Sequence, residues 1–507
     1  TGQFALPNTE KAKNAYLRAA EFRNTNWFKD LFSTAIMHNH SVSISGGTEK
    51  SQYYASLSAM FDPGWTKQSR VQRYTANINT TYNLNKHFDI NLIGNASYRK
   101  QQAPGTLNSD VDLVTGEVKR DFDINPYSYA LNTSRTLDPN EFYTRNFAPF
   151  NIFHELDNNY MDLHVSDFRV QASIDYRPIQ KLKITLLGSA KSSSTSQEHN
   201  ILDESNQAMA YRAMPTAAIR DRNPFLYKDP DNIYALPISV LPYGGIYERR
   251  DNRFFGWDTR LSASYNDVFN DTHILNLYGG METNLVDRKS TWFRGWGLQY
   301  SQGEVPLYAY QVFKKGQENG SDYFTMDNTH IRSAAFFGTG TYSYKGRYQL
   351  TGTIRYEGTN YLGKATSARW MPTWNLSSAW NAHEESWYEG LFKDVLTHST
   401  FRVSYSLTGD RPAITNALPI FRSSNPWRPF TNVQEPGLDQ VLGNPELTYE
   451  KKHELNFGFD LGFLKNRINL SADFYWRNNY DLIGIANTEL YGPQYANVAS
   501  MKSNGME

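Results

Sequence analysis

Two pairs of side chains in the sequence have the types and spacing of metal ligands. His38 and His40 are one residue apart, so on a β-strand they would point to the same face. Asp229 and Asp231 flank Pro230 and could offer carboxylate oxygens to calcium. Two histidines alone make an incomplete site, and the aspartates lack the ligand spacing and terminal Glu of a calcium loop. The sequence therefore favours an ordinary strand and an ordinary turn, and it predicts neither a metal ion nor a cofactor.

Two further motifs imitate enzyme signatures. The stretch 358–364, GTNYLGK, is similar to a phosphate-binding loop, but Ala365 stands where a magnesium-binding hydroxyl is required. His154 and Glu155 lack the second histidine of a zinc-protease helix. Acidic residues on polar strand faces could serve a glycosidase, yet a water-filled interior requires such residues in any case. The sequence thus predicts that the protein is not an enzyme.

The strongest candidates for ligand binding are aromatic side chains in segments predicted to be long loops. Flat rings on a polar background can stack on sugar rings or on apolar peptide side chains, while Asn, Asp and Arg add directional hydrogen bonds. The alternative is that these rings pack the loops against one another or against a partner protein. The predicted substrate-binding residues are Trp292, Phe293, Trp296, Tyr300, Trp427 and Arg428.

An alternation of apolar and polar residues predicts the strands that position these loops. From Phe88 to Arg99 the even positions are mostly apolar and the odd positions mostly polar. The alternation is equally clear in 168–177, 348–357, 401–408, 454–461 and 468–477, and weaker in 38–46, 51–61, 70–82, 182–192, 253–266, 273–286, 331–344 and 369–381. This pattern predicts about fourteen strands.

The ends of these strands and the lengths of their connections indicate a membrane barrel. The apolar series usually ends in an aromatic ring, as at Tyr74 and Tyr82 or at Phe168 and Tyr176. Strands of about nine residues tilted by roughly 40° span on the order of 20–25 Å, which matches the apolar band of an outer-membrane barrel and its two aromatic girdles. Short turns alternate with long connections, as in such barrels. A soluble all-β protein is the alternative.

The composition excludes several classes of protein. The 507 residues include 51 Lys and Arg against 51 Asp and Glu, so there is no basic surplus for nucleic-acid binding. The absence of Cys excludes disulfides and thiolate metal sites. No apolar run approaches the roughly 18 residues of a membrane helix, and the mean hydropathy is −0.62. Alternating strands reconcile this low value with a membrane, because only every second residue must be apolar.

Three stretches resemble the SusC/RagA family of TonB-dependent outer-membrane transporters. Residues 24–64 resemble the family's early barrel strands through a Trp, an Asn-His pair, Ser-Gly-Gly-Thr and Tyr-Tyr-Ala-Ser-Leu. Residues 442–483 resemble a later strand pair, and residues 401–410 resemble a strand followed by the family's Thr-Gly turn. The last has Ser406 and Asp410 where the family more often has the Gly and the Asn of Gly-x-Thr-Gly-Asn.

The resemblance implies an all-β fold, a transmembrane antiparallel β-barrel with long extracellular loops. We expect the chain to be an internal fragment with about 14 of roughly 22 strands. Residues 1–36 are predicted to be a helical or linker segment leading into the barrel. Residues 37–507 are predicted to be an incomplete TonB-dependent receptor barrel, whose plug domain and C-terminal strands lie outside this chain.

The resemblance also implies a function and a set of partners. It implies active import of oligosaccharides or oligopeptides with a SusD-like surface lipoprotein as a lid, energised by the TonB complex through an N-terminal region that is not in this chain. The implied location is the outer membrane of a Gram-negative, Bacteroidetes-like cell, in contact with its lipid. A passive porin, an adhesin-type glycan-binding protein and an outer-membrane hydrolase are alternatives. The choice between glycan and peptide stays open.

Overall fold

The computed structural model describes residues 7–105, 110–111, 118–119, 122–318, 321–360, 362, 366–388, 395–410, 420–424, 437–441, 443–488 and 492–507. Its helices are α1 Glu10–Glu21, α2 Trp27–Leu31, α3 Pro126–Asn132, α4 Ile152–Asn158, α5 Asn206–Ala210, α6 Ala217–Arg222, α7 Gln311–Glu318 and α8 Thr366–Arg369, with short 3-10 helices at Tyr300–Gln302 and Ala382–Glu384. None of the described helices is long and apolar enough to span a bilayer.

The strands are β1 His38–Gly47, β2 Ser51–Asp62, β3 Arg70–Asn83, β4 Phe88–Pro104, β5 Asp110–Val111, β6 Val118–Lys119, β7 Tyr143–Arg145, β8 Ala148–Phe150, β9 Asn159–Ile179, β10 Leu182–Ile201, β11 Gly245–Phe269, β12 His273–Gln299, β13 Val305–Pro306, β14 Phe324–Tyr344, β15 Tyr348–Thr359, β16 Trp370–Asn381, β17 Leu396–Asp410, β18 Ile420–Ser424, β19 Gly437–Val441, β20 Glu450–Phe463, β21 Ile468–Thr488 and β22 Gly492–Met506.

One antiparallel sheet, hereafter the wall, organises the molecule. Its strands are hydrogen-bonded in the order β1-β2-β3-β4-β9-β10-β11-β12-β14-β15-β16-β17-β20-β21-β22, with β13 added beside β12. All fourteen segments predicted from the alternation are strands of this sheet. The sheet also contains β22, which the alternation did not identify. The all-β prediction with antiparallel neighbours is therefore confirmed.

The wall strands extend further than their apolar alternation does. The strand predicted over 273–286 runs from His273 to Gln299, and the one predicted over 253–266 begins at Gly245. The segment around Trp292, which the sequence predicted to be a long loop, is therefore strand as far as Gln299. Pairing between β11 and β12 continues from Phe269↔His273 up to Ile246↔Trp296, because the backbone ladder does not require the side chains to alternate in polarity.

The two faces of the wall differ in chemistry. The outer face carries apolar side chains that remain exposed, such as Leu277, Met281 and Leu350, each more than 40% accessible. The inner face carries paired charges, including Glu282, which binds both Arg260 and Arg355 at 2.7 and 2.6 Å. Apolar groups exposed on one face and ion pairs on the other are the arrangement of a wall between lipid and a hydrated interior.

Short turns close one end of the wall. Lys345 and Gly346 join β14 to β15 with φ values of 52° and 72°, and Asn270 and Asp271 join β11 to β12 with φ values of 51° and 54°. Two successive residues with positive φ match the twist of antiparallel strands, so these hairpins are tight.

The long connections and the segment before β1 form a second region, hereafter the cap. Its interior holds buried apolar clusters, and the largest one among the described residues joins Trp27 and Leu31 of α2 to Tyr129 of α3 and Phe150 of β8. The indole N–H of Trp27 donates to the carbonyl of Ser134 at 3.0 Å. Helices α1 and α2 lie within the segment before β1, and the cap contributes hydrophobic packing of this kind.

Candidate functional site

The candidate site lies on the upper part of β12, where three of the predicted binding residues occur. Trp292, Phe293 and Trp296 are in the strand itself, so their prediction as loop residues was wrong. Tyr300 begins the short 3-10 helix that follows. Alternation along the strand places Trp292 and Trp296 on one face and Phe293 on the other.

The register of the wall identifies the face that carries Trp292. Glu282, whose ion pairs mark the inner face, is an even-numbered residue of β12. Between Ile246↔Trp296 and Phe269↔His273 the register with β11 has no shift, so Trp292 and Trp296 lie on the same inner face as Glu282.

An ion pair between two strands fixes the centre of the site. The Nε and Nη2 of Arg294 donate to Glu248 Oε1 at 2.7 and 2.5 Å. The guanidinium carbon lies 5.4 Å from the centre of one Trp292 ring and 5.7 Å from that of Trp296. These are cation–π distances, so Arg294 is held by two indoles and a carboxylate. Such a group has little freedom to move.

Trp296 and Tyr300 pack the cap. Trp296 meets Tyr211 edge to face at 5.2 Å and lies against two buried apolar clusters. The hydroxyl of Tyr300 lies 3.3 Å from Asn200 Oδ1 and 3.2 Å from the carbonyl oxygen of Ile246, and it can donate its one proton to either acceptor. Burial raises the pKa of Tyr300 well above its usual range, so its hydroxyl stays protonated. These contacts favour the packing alternative for both residues.

Phe293 lies on the outer face of the wall. It is opposite Phe324 of β14 and Arg249 of β11, and both aromatic side chains are more than 40% exposed. A ligand inside the wall could not reach this ring. Trp427 and Arg428, the remaining predicted binding residues, lie outside the described residues.

The structure adds two polar residues to the site that were not predicted. Arg250 is directly opposite Trp292, and Gln197 is directly opposite Arg250, so the three side chains form one row on the inner face. Among the described residues no carboxylate pairs with Arg250, whereas Arg249 beside it binds Asp251 at 2.8 Å on the outer face. The alternation of faces along Glu248–Arg253 could have placed Arg249 and Arg250 on opposite faces from the sequence alone. Their cross-strand neighbours could be identified only from the register of the sheet.

One lysine lies among the three carboxylates of an acidic cluster in the cap. Lys314 Nζ of α7 lies 3.0 Å from Asp229 Oδ1, 3.2 Å from Asp231 Oδ2 and 3.6 Å from Glu318 Oε1. The ammonium of Lys314 lowers the pKa of Asp229. Asp229 and Asp231 therefore form an ion-paired turn, in agreement with the simpler sequence interpretation. His38 and His40 lie on exposed β1 with ring centres 6.2 Å apart.

Comparison with known proteins agrees with this architecture. A family model described as TonB dependent receptor-like, beta-barrel matches residues 215–507. The chain is 22% identical to TonB-dependent receptor P26 of Formosa agariphila and 24% identical to TonB-dependent receptor SusC of Bacteroides thetaiotaomicron. Both alignments cover 96% of this chain, which spans 44% and 45% of those relatives.

A solved structure has the same fold. The structure of the RagAB peptide transporter superposes with a TM-score of 0.66 at 18% identity, covering 98% of this chain and 51% of that one. The likeness extends over both wall and cap, although the chain corresponds to about half of the larger protein.

Proposed function

The chain belongs to the TonB-dependent receptor-like β-barrel family, and from that premise we propose that the whole protein actively imports oligosaccharides across the outer membrane. Members of this family are outer-membrane receptors and transporters rather than enzymes. The wall of this chain is accordingly a transmembrane β-barrel wall. In the proposed function it encloses the path, and specificity lies in the inner face near the cap.

The row of Trp292, Arg250 and Gln197 is the observation that carries the proposal. Its indole offers a flat apolar surface, and the guanidinium and amide beside it offer directed donors. A sugar ring presents C–H groups on one face and hydroxyls at its edge, so it can use both at once. Trp296 and Tyr300 support this row by fixing the strand to the cap.

An oligopeptide is the second candidate substrate. The solved relative of the same fold is described as a peptide transporter, and an unpaired Arg250 would also suit an acidic peptide side chain. We propose that the importer works with a SusD-like surface lipoprotein and draws energy from the TonB complex through a region outside this chain. Phe293 and Phe324, exposed on the outer face, do not contribute to the proposed ligand row.

Uptake by cells that carry the full-length protein tests this function. Labelled oligosaccharides should accumulate, and a protonophore should abolish accumulation while leaving surface binding intact. Accumulation that persists with the protonophore would indicate a passive porin instead. Binding without any accumulation would indicate an adhesin.

Calorimetry with glycan and peptide panels tests the ligand row. We expect Trp292→Ala to weaken binding by roughly tenfold, if a sugar ring gains from the indole an amount at the low end of the about 1–3 kcal/mol that a nucleic-acid base gains by stacking on one aromatic ring. Arg250→Gln should weaken binding of charged ligands most. Phe324→Ala removes an aromatic ring from the outer face and serves as the matched control. Binding of peptides only would replace the glycan with the peptide as substrate.

A further inference from the structure

A continuous groove crosses the outer face of the wall over β1 to β4 and β9. Its upper part has a volume of about 750 Å³, and a deeper part shares Val42, Leu57, Ala76, Ala96 and Phe168 with it. This size lies within the range of roughly 300–1,000 Å³ found for small-molecule sites. The groove is separate from the ligand row, which lies on the opposite, inner face of the wall.

Small residues make the floor of this groove. Register places Ala59, Ala76 and Ala96 in the outer face of three adjacent strands, and Gly94 lies below Ala96 on β4. Larger apolar side chains border them, including Leu57 at 65% and Phe168 at 54% exposure. A trough of alanine and glycine between such ridges fits a narrow apolar chain. It runs roughly 13 Å along β4, from Tyr98 to Gly94.

A polar rim closes the groove at the cap end. The hydroxyl of Tyr98 lies 2.9 Å from His164 Nδ1, and Ser166, Ser192 and Ser194 line the same end. Aromatic residues of an outer-membrane barrel mark the level of the lipid headgroups, so the rim is at headgroup depth and the floor at acyl depth.

Two cationic side chains without a described carboxylate partner lie at and just above this rim. Lys100 lies opposite His164 one row above Tyr98, and Arg253 lies opposite Ser194. Among the described residues no carboxylate pairs with Lys100. The acids on the outer face above the rim are Asp162, which no described cation pairs with, and Glu198 and Asp251, which Arg249 binds at 3.4 and 2.8 Å. Asp167 also borders the groove, but Lys191 binds it at 3.1 Å.

We propose that this groove binds one phosphate-bearing lipid of the outer leaflet, with an acyl chain on the alanine floor and the phosphate against Lys100, His164 and Arg253. The groove is apolar where the acyl chain would lie and cationic where the anionic headgroup would lie. Charge complementarity selects an anionic headgroup over a zwitterionic one, because a basic residue near a membrane surface contributes about a fivefold preference.

Native mass spectrometry of the full-length protein in detergent tests this site. Phosphatidic acid and phosphatidylcholine with identical acyl chains are the probes. We expect one phosphatidic acid to be retained in preference to phosphatidylcholine. Lys100→Gln should reduce this retention roughly fivefold, and Lys50→Gln, which removes an exposed lysine from the turn at the opposite end, should not change it.

Variants with a large side chain on the floor of the groove distinguish binding in the groove from ordinary contact with bulk lipid. Ala96→Trp should abolish selective retention, and Ala76→Phe provides a second filled variant if the first does not assemble, as judged by heat-resistant mobility. Undiminished retention in an assembled filled variant would overturn the proposal. So would displacement of the lipid by inorganic phosphate alone, or a dimer that the filled variants abolish, since these outcomes indicate a bare anion site or a second copy of the chain.

Discussion

The wall and the cap use the same apolar residue types with opposite burial. In the wall, Leu350 and Ile354 are exposed at 49% and 58%, whereas in the cap Leu241 and Ile152 are fully buried. The wall can leave them exposed because its solvent on that side is lipid. The cap stands in water and must bury them to gain the hydrophobic contribution to stability. The surroundings of each region therefore decide which contacts stabilise it.

The largest expected effect comes from placing a charge on the lipid face of the wall. Leu350→Arg, or equally Ile90→Arg, should cost about 2–4 kcal/mol near the bilayer midplane and should impair insertion. Unfolding in lipid vesicles measures this cost. Gln349→Arg places the same side chain on the inner face and should be tolerated. An equal loss of stability from Gln349→Arg and Leu350→Arg would mean that residue 349 does not face a hydrated interior while residue 350 faces lipid.

A cavity in the cap should have a smaller effect, confined to that region. Trp296→Ala removes contacts with Tyr211 and two buried clusters, and should cost about 2–3 kcal/mol, less than a fully buried Trp. Hydrogen exchange should rise around residues 205–211 and 240–246 but not in β14 or β15. Trp292→Ala should leave this exchange pattern unchanged. Protection lost throughout the wall would show that the regions are not independent.

Removal of the buried lysine should loosen one part of the cap. Lys314→Met leaves Asp229, Asp231 and Glu318 without their shared cation, at a cost of about 1–2 kcal/mol because the carboxylates are partly exposed. Limited proteolysis between residues 227 and 240 should accelerate. Lys228→Met, which removes a neighbouring exposed lysine, is the control. An unchanged cleavage rate would mean that apolar packing alone holds this connection.

The smallest expected effect is the pH dependence of the same connection. The pKa of Asp229 is lowered by Lys314, so its stabilising contribution is present above the unfolded value of about 4 and is lost as the pH falls below it. Burial raises the pKa of Glu318, which opposes this trend and keeps the net effect small. Hydrogen exchange compared at pH 6 and at about pH 3 should show the loosening, because the loss begins below about pH 4. Lys314→Met should remove most of that difference.

Much of the wall could be predicted from the sequence because lipid on one side and water on the other require apolar and polar residues to alternate along each strand. The upper ends of the strands could not be predicted in this way. Above Phe255 the outer face of β11 carries Arg253 and Asp251, and Ser194 of β10 lies opposite Arg253, so this face becomes polar. There the backbone hydrogen bonds between the strands continue, but the alternation of apolar and polar residues that predicts a strand is lost. The strand β22 was missed for a related reason, since its sequence alternates weakly.

The site and the cap were less predictable because their contacts join distant residues. Lys314 and Asp229 are 85 positions apart, and neither motif indicates the other. The pairing of Arg250 with Trp292 follows from the register of β11 and β12, which no local pattern specifies. The residue types around Trp292 were predicted, but the separation of inner and outer faces required the structure.

The extension of β12 above its apolar band has an electrostatic consequence. The outer face of this strand turns polar at Asp287, and Trp292 lies five residues further along, roughly 15 Å of strand. The Debye length at physiological ionic strength is about 8 Å, so the charge of the lipid surface is largely screened at the ligand row. Arg250, which no described carboxylate pairs with, therefore attracts ligands mainly through its own field, and changes in the lipid charge should have little effect on binding at this row.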